Sequence, residues 1–136
     1  MKKIVSLVLC FSILLTVGLL YVSADTPTPY WTNTSEVIIG HAYQGNGRCS
    51  YQVIIDGYSG TTLIDNVDIK LYRIVTDSIM VLDGWKFNLS QTGDFFDYSG
   101  SFENVLTGYV YRLKVTADVH RNGTVESIDC YWDVQY

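Results

Sequence analysis

The sequence predicts an all-β protein: a single antiparallel sandwich of about seven strands that follows a cleaved export signal. Three observations lead to this prediction. The N-terminus has the three parts of an export signal. Beyond it, apolar residues recur with a period of two, and no helical spacing of three and four is sustained. Clusters of Gly, Asn, Asp and Ser then divide the alternating segments from one another.

The export signal occupies residues 1–24. Lys2 and Lys3 supply the positive start, and an apolar run extends from Ile4 to Val22. Val22-Ser23-Ala24 places small residues at the two positions that a signal peptidase recognises, so cleavage is expected after Ala24. An uncleaved membrane anchor is the alternative, because the run approaches the ~20 apolar residues that span a bilayer. The expected location is therefore secreted or extracellular, or associated with the cell envelope, and the membrane is a partner only before cleavage.

Cleavage leaves residues 25–136, enough chain for one domain with its own core. An extended leader is predicted for residues 25–36, which contain both prolines, and a β-sandwich domain for residues 37–136. Of the nine Lys and Arg, two lie in the signal, so seven remain against fourteen Asp and Glu. This acidic balance excludes nucleic acid as an expected partner, because nucleic-acid binding requires clustered cations.

Seven segments alternate as strands do. The predicted strands are Val37–Tyr43, Arg48–Tyr58, Asn66–Val75, Ile79–Asn88, Phe95–Glu103, Tyr109–His120 and Thr124–Tyr136. The sixth alternates most regularly, and Asn122-Gly123 after it is a two-residue hairpin turn. Seven short antiparallel strands at this spacing predict an immunoglobulin-like sandwich, with a small barrel as the alternative.

The inward residues of the fourth and seventh strands follow from the same alternation. The fourth strand is expected to direct Val81, Trp85 and Phe87 into the core. The seventh is expected to place Ile128, Cys130, Trp132 and Val134 on one face.

Two parts of the sequence resemble known families. The run from Tyr109 to Ala117, YVYRLKVTA, resembles the sixth strand of fibronectin type III and related immunoglobulin-like domains. That resemblance implies that Tyr111 is the corner tyrosine, with its ring in the core and its hydroxyl bonded to the backbone. The order of a cysteine strand, Gly57–Thr62, a tryptophan strand and YRLKVTA is similar to a group of small exported Firmicutes proteins of unknown function. This second resemblance implies a Gram-positive source and an all-β fold, and it implies no activity.

Cys49 and Cys130 are the two cysteines of the exported chain. Outside the cytoplasm an even pair predicts a disulfide. It would join the second strand to the seventh, whereas the usual immunoglobulin bridge joins the second to the sixth. Two buried free thiols are the alternative.

The sequence contains no assembled catalytic motif and implies no cofactor and no metal site. His41 and His120 are far apart in the sequence, and the densest carboxylates are the pairs Asp94/Asp97 and Asp129/Asp133. A small extracellular hydrolase built on paired carboxylates is therefore one alternative, and a purely structural surface protein is another.

A binding function is the leading hypothesis. If the third, sixth and seventh strands are neighbours, Tyr72, Arg112, Lys114 and Tyr131 share one exposed face, beside Asp129 and Asp133. Amphipathic rings beside mixed charges suit recognition of a protein or a glycan. Ordinary cross-strand pairing of tyrosine with a long cation would produce the same pattern.

Overall fold

A computed structural model describes residues Tyr30–Tyr136. The predicted export signal and residues 25–29 of the predicted leader lie outside this range. Trp31–Tyr136 form one compact unit. Its seven strands are β1 (Thr34–Gly45), β2 (Arg48–Gly57), β3 (Thr61–Thr76), β4 (Ile79–Thr92), β5 (Phe95–Phe102), β6 (Val110–Arg121) and β7 (Thr124–Gln135). Each predicted strand is present. β3 begins five residues earlier than expected, and β1 begins three residues earlier.

The strands form two antiparallel sheets packed as a sandwich. One sheet has the order β1-β2-β5 and the other the order β4-β3-β6-β7. This is the immunoglobulin-like arrangement, except that β4 joins β3 instead of β5, its neighbour in the constant-type domain. The predicted fold class is confirmed. Between Tyr30 and Tyr136 no helix is long and apolar enough to cross a membrane.

The core lies between the sheets, and alternating residues supply most of it. The inward residues of β2, β3 and β6 are buried, while most of their sequence neighbours face outward. The buried set from these three strands is Cys49, Tyr51, Val53, Ile55, Ile64, Val67, Ile69, Leu71, Tyr111, Leu113, Val115, Ala117 and Val119. Burying apolar surface at ~25 cal/mol per Å² makes this layer the main source of stability.

The hydroxyl of Tyr111 makes the hydrogen bond expected of a corner tyrosine. The ring is fully buried, and its oxygen accepts a hydrogen bond from the Leu106 N–H, five residues upstream, at 3.0 Å. The same hydroxyl donates to Asp83 of β4 at 3.1 Å. Tyr111 therefore fixes the β5–β6 connection and part of β4 to the core.

β4 departs from the expected pattern. The residues predicted to point inward, Val81, Trp85 and Phe87, are all exposed. The buried residue of this strand is Gly84, which lies opposite Leu71 of β3. β4 is an edge strand with an extra residue, Asp83, relative to β3, and such a bulge reverses which residues face inward.

Gly84 is required because the ring of Phe102 packs directly over it. A Cβ at this position would lie 2.4 Å from Cδ1 of Phe102, and Phe102 is held from its other side by Tyr51, with ring centroids 4.6 Å apart. The close approach of β4 to β5 therefore depends on the missing side chain.

We predict that Gly84→Ala lowers the free energy of unfolding by about 1–3 kcal/mol, the usual cost of overpacking a core. Gly40→Ala in β1 is the matched control, because nothing lies within 4 Å of a Cβ there. It should leave stability unchanged or raise it by up to ~1 kcal/mol. Urea unfolding of the two variants would test this, and equal midpoints would contradict it.

The entry of the chain into β1 is held by one carboxylate from the opposite sheet. Glu126 of β7 accepts hydrogen bonds from the backbone N–H groups of Thr32, Asn33 and Thr34 at 2.6, 3.0 and 3.0 Å. It also accepts from the hydroxyls of Thr32 and Thr34. Burial tends to raise the pKa of Glu126, but these hydrogen bonds outweigh it and hold the pKa below its usual value.

We predict that Glu126→Gln destabilises the domain by about 1.5–3 kcal/mol near pH 7, because hydrogen bonds to a charged acceptor are lost. A lowered native pKa stabilises the fold above the unfolded-state pKa, near 4.5, and this contribution disappears as pH falls through the native value. The stability difference between the parent chain and Glu126→Gln should therefore shrink below about pH 4.5. Glu36→Gln, at an exposed site on β1, is the control and should show no such difference in denaturant unfolding at pH 7 and pH 3.

Candidate binding face

β3, β6 and β7 are neighbours, so the four residues proposed from the sequence share one open surface. Tyr72 lies opposite Arg112, and Lys114 lies opposite Tyr131. Tyr72 and Arg112 thus form one row of the sheet, and Lys114 and Tyr131 belong to the next row. Tyr131 is 52% exposed, and the other three are half-buried.

A level row of four side chains crosses the whole four-stranded sheet. Strand pairing places Trp85 of β4 opposite Lys70, Lys70 opposite Lys114, and Lys114 opposite Tyr131. Two exposed rings therefore flank two ammonium groups. With strands ~4.8 Å apart, the end residues of this row are separated by about 14 Å. We call the outward side chains of this sheet around the row the aromatic–ion-pair face: Lys70, Tyr72, Trp85, Phe87, Arg112, Lys114 and Tyr131.

Each cation of this face has its own carboxylate. Arg112 binds Asp133 with two parallel hydrogen bonds of 2.8 Å, and the pKa of Arg112 is raised chiefly by this partner. Lys114 contacts Asp129 at 2.9 Å. Lys70 contacts Asp68, on its own strand, at 3.4 Å. These partners offset the repulsion between Lys70 and Lys114, which like charges placed directly opposite would otherwise feel.

The rings are positioned by the same cations. The guanidinium carbon of Arg112 lies 3.8 Å from the ring centroid of Tyr131, and the ammonium of Lys70 lies 5.2 Å from that of Phe87. Trp85 and Phe87 are adjacent, with centroids 6.3 Å apart. Cation–π contacts of this kind contribute about 0.5–1 kcal/mol at exposed sites, so the rings are held in place while much of their surface stays open.

Lys70, Trp85 and Phe87 were missed as members of this face by sequence reasoning. Lys70 lies on β3, whereas Trp85 and Phe87 lie on β4. The inward residues of β4 were assigned wrongly, which turned the two rings toward the core. Gly84 was the available signal, because a glycine within a strand often marks a bulge or a close backbone approach. Counting Gly84 as the inward residue turns Trp85 outward.

The predicted disulfide is absent, and Cys49 and Cys130 are free thiols. Cys49 lies within hydrogen-bond distance of the Tyr136 hydroxyl, at 2.9 Å. Cys130 is six residues from Tyr136, about 20 Å of extended strand. A disulfide needs Cα atoms within about 7 Å of each other, and the two cysteines lie at different levels of the sandwich.

Cys49 instead belongs to a buried hydrogen-bond chain that joins β1, β2 and β7. His41 Nε2 lies 2.9 Å from the Trp132 carbonyl oxygen, which can only accept, so Nε2 carries the proton. Nδ1 then accepts a hydrogen bond from the Tyr136 hydroxyl, and Tyr136 accepts from the Cys49 thiol. Burial lowers the pKa of His41, in agreement with a neutral ring.

This hydrogen-bond chain does not activate the Cys49 thiol. A reactive cysteine needs a lowered pKa, whereas burial raises the pKa of Cys49 and raises the pKa of Cys130 to about 11. The hydroxyl of Tyr136 also lies between the thiol and the imidazole. We assign these hydrogen bonds a structural role, because they link the two sheets through buried polar groups.

We predict that alkylation without reductant labels both Cys49 and Cys130 once the protein is unfolded. In the folded protein at pH 7 both should react slowly, with the fully buried Cys49 slower than Cys130, because the thiolate is the reactive form. Intact-mass measurement with and without reductant would check this. An intact mass lower by two hydrogen atoms before reduction, with neither Cys49 nor Cys130 labelled, would show that the disulfide forms.

The carboxylate pairs singled out in the sequence lie on open surfaces. Asp129 and Asp133 are four residues apart on one strand, about 13 Å, and each is bound to a different cation. Asp94 and Asp97 are both exposed. His120 contacts Asp65 at 2.8 Å, away from His41. Across residues 30–136, no three His, Cys, Asp or Glu side chains are grouped to hold a metal ion.

No family model matches the sequence, and no curated protein matches it significantly. Among solved structures, a protein from Archaeoglobus fulgidus aligns with 74% of this chain and 94% of its own, at 9% identity and a TM-score of 0.44. The GAE domain of GGA2p from Saccharomyces cerevisiae aligns with 78% of this chain and 93% of its own, at 13% identity and a TM-score of 0.42. The sporulation control protein Spo0M from Bacillus subtilis has 15% identity and a TM-score of 0.40, and the match covers 78% of this chain and 51% of that one. At these values the likenesses assign neither a family nor a function.

Proposed function

We propose that this chain is an exported, non-catalytic binding domain that recognises a protein through the aromatic–ion-pair face. The observation that carries the proposal is the row Trp85–Lys70–Lys114–Tyr131, which crosses all four strands and has an exposed ring at each end. Trp, Tyr and Arg are the residues most enriched among those that dominate protein interfaces. Export rests on the N-terminal signal of residues 1–24.

The charges of this face support a macromolecular partner. The chain as a whole is acidic, with fourteen Asp and Glu against nine Lys and Arg. On the face, three cations are matched by three carboxylates, Asp68, Asp129 and Asp133. A partner can therefore approach this side without the net repulsion that the rest of an acidic surface exerts on other acidic proteins.

A glycan is the second candidate ligand. Its support is the spacing of Trp85 and Tyr131, two exposed rings about 14 Å apart on a level, open row. The ammonium groups of Lys70 and Lys114 between them carry hydrogen-bond donors. An extended oligosaccharide could place sugar rings on both aromatics.

The hydrolase alternative has less support. A glycosidase needs two carboxyl groups about 5–9.5 Å apart around the scissile bond. The Asp129/Asp133 pair is instead spread along a strand and held in separate ion pairs. A purely structural surface role does not explain why Trp85 and Tyr131 expose their rings to solvent.

The test is a binding screen of the exported protein against secreted proteins and glycans, repeated with Trp85→Ala, Tyr131→Ala and Tyr72→Ala. For any ligand of this face, the first two variants should weaken binding by about 2 kcal/mol or more, as truncation of a central interface aromatic does. Phe95→Ala is the matched control, since Phe95 is 52% exposed on the other sheet. Binding unchanged in all three face variants, or lost equally in Phe95→Ala, would remove this face as the site.

A further inference from the structure

The beginning of β4 combines a free sheet edge with a continuous apolar stretch. β4 has a hydrogen-bonded neighbour on one side only, β3. Its first four residues, Ile79–Leu82, are exposed by 54, 49, 37 and 39%. An edge strand presents unpaired N–H and C=O groups to any strand that can approach it, and contiguous exposed apolar surface marks an interaction site.

The regular part of this edge is short and well delimited. Met80, Val81 and Leu82 pair with β3 without interruption. On one side the register shifts between Ile74 and Thr76, and on the other the extra residue Asp83 forms a bulge. Because bulges end regular pairing, an added strand can extend the ladder over this stretch and little further.

Two opposite charges flank the stretch. Asp77 lies in the β3–β4 turn and Lys86 lies past the bulge, and both are exposed. Neither forms an ion pair with any residue from Tyr30 to Tyr136, whereas Asp83 between them binds Arg73 at 3.0 Å. A strand that pairs here would be complementary if it brought a cation to Asp77 and an anion to Lys86.

We propose that the occupant of this edge is a second copy of the same chain, paired β4 to β4 about a two-fold axis. In the register that places Val81 opposite Val81 of the other copy, Met80 lies opposite Leu82 twice. Counting the extra residue at the bulge, Asp77 of each copy falls level with Lys86 of the other. In a two-fold interface every such contact forms twice.

The single stretch supplies both halves of this interface. Apolar residues meet apolar residues at the centre, and opposite charges meet at both ends. The net negative charge of each copy opposes association, but at physiological salt it is screened beyond about 8 Å. The two four-stranded sheets join into one of eight strands, and both aromatic–ion-pair faces lie on the same side of it.

The test is sedimentation velocity on the full chain, expressed with its own N-terminus and purified as the host processes it. The parent protein should show a concentration-dependent equilibrium between one and two copies. Asp77→Lys and Lys86→Asp should each weaken dimerisation by about tenfold, since each reverses two exposed ion pairs. The double variant Asp77→Lys/Lys86→Asp should restore the parent behaviour.

Asp94→Lys makes the same charge change as Asp77→Lys at an exposed position of the β4–β5 connection, beyond the opposite end of β4. It should leave the equilibrium unchanged. Circular dichroism of every variant confirms that the fold is retained. A parent protein with a dissociation constant above about 1 mM overturns the proposal. So does a dimer insensitive to both single changes, or one that the double variant fails to rescue.

Discussion

The alternation of side chains along β3 and β6 is the constraint on which the rest of this domain depends. Both strands have hydrogen-bonded neighbours on each side, so every side chain must lie either in the core or on the open face. Ile69 and Leu71 are fully buried, and the residues between and beside them, Lys70 and Tyr72, are thereby turned outward. A shift of one residue in either strand would bury charged groups and expose the core. The candidate binding face is therefore fixed by the same apolar residues that hold the sheets together.

Much of this could be predicted from the sequence because β2, β6 and the middle of β3 alternate regularly. β2 and β6 show their inward residues directly in the sequence, and the Asn122-Gly123 turn, with φ values of 51° and 78°, adopts the positive φ angles that its residues favour. The grouping of Tyr72, Arg112, Lys114 and Tyr131 followed once β3, β6 and β7 were taken as neighbours. These features depend on which side of a strand each residue faces, and the alternation of apolar and polar residues shows this directly.

The errors have a common origin in interactions that cross the sandwich. The inward position on β4 is set by the ring of Phe102, a residue of another strand, which packs against Gly84. The apolar alternation of β4 does not contain that information, and Gly84 is its one local sign. The cysteines were expected to meet because both alternate with core residues. Their levels depend on how β2 lies against β7, which sequence periodicity does not specify. Cys49 and His41 both form hydrogen bonds with the Tyr136 hydroxyl instead. The ring of Tyr136 stacks on that of Tyr111, with centroids 4.9 Å apart.

The hydrogen bonds of Glu126 also determine how the domain would carry mechanical load. A pull on the segment that precedes Thr32 reaches the carboxylate before it reaches the β1–β2 ladder. Because Glu126 belongs to β7, the force passes into the opposite sheet and is shared across the sandwich, so β1 is not peeled alone from β2. A force applied to the chain before Thr32 would thus load both sheets together.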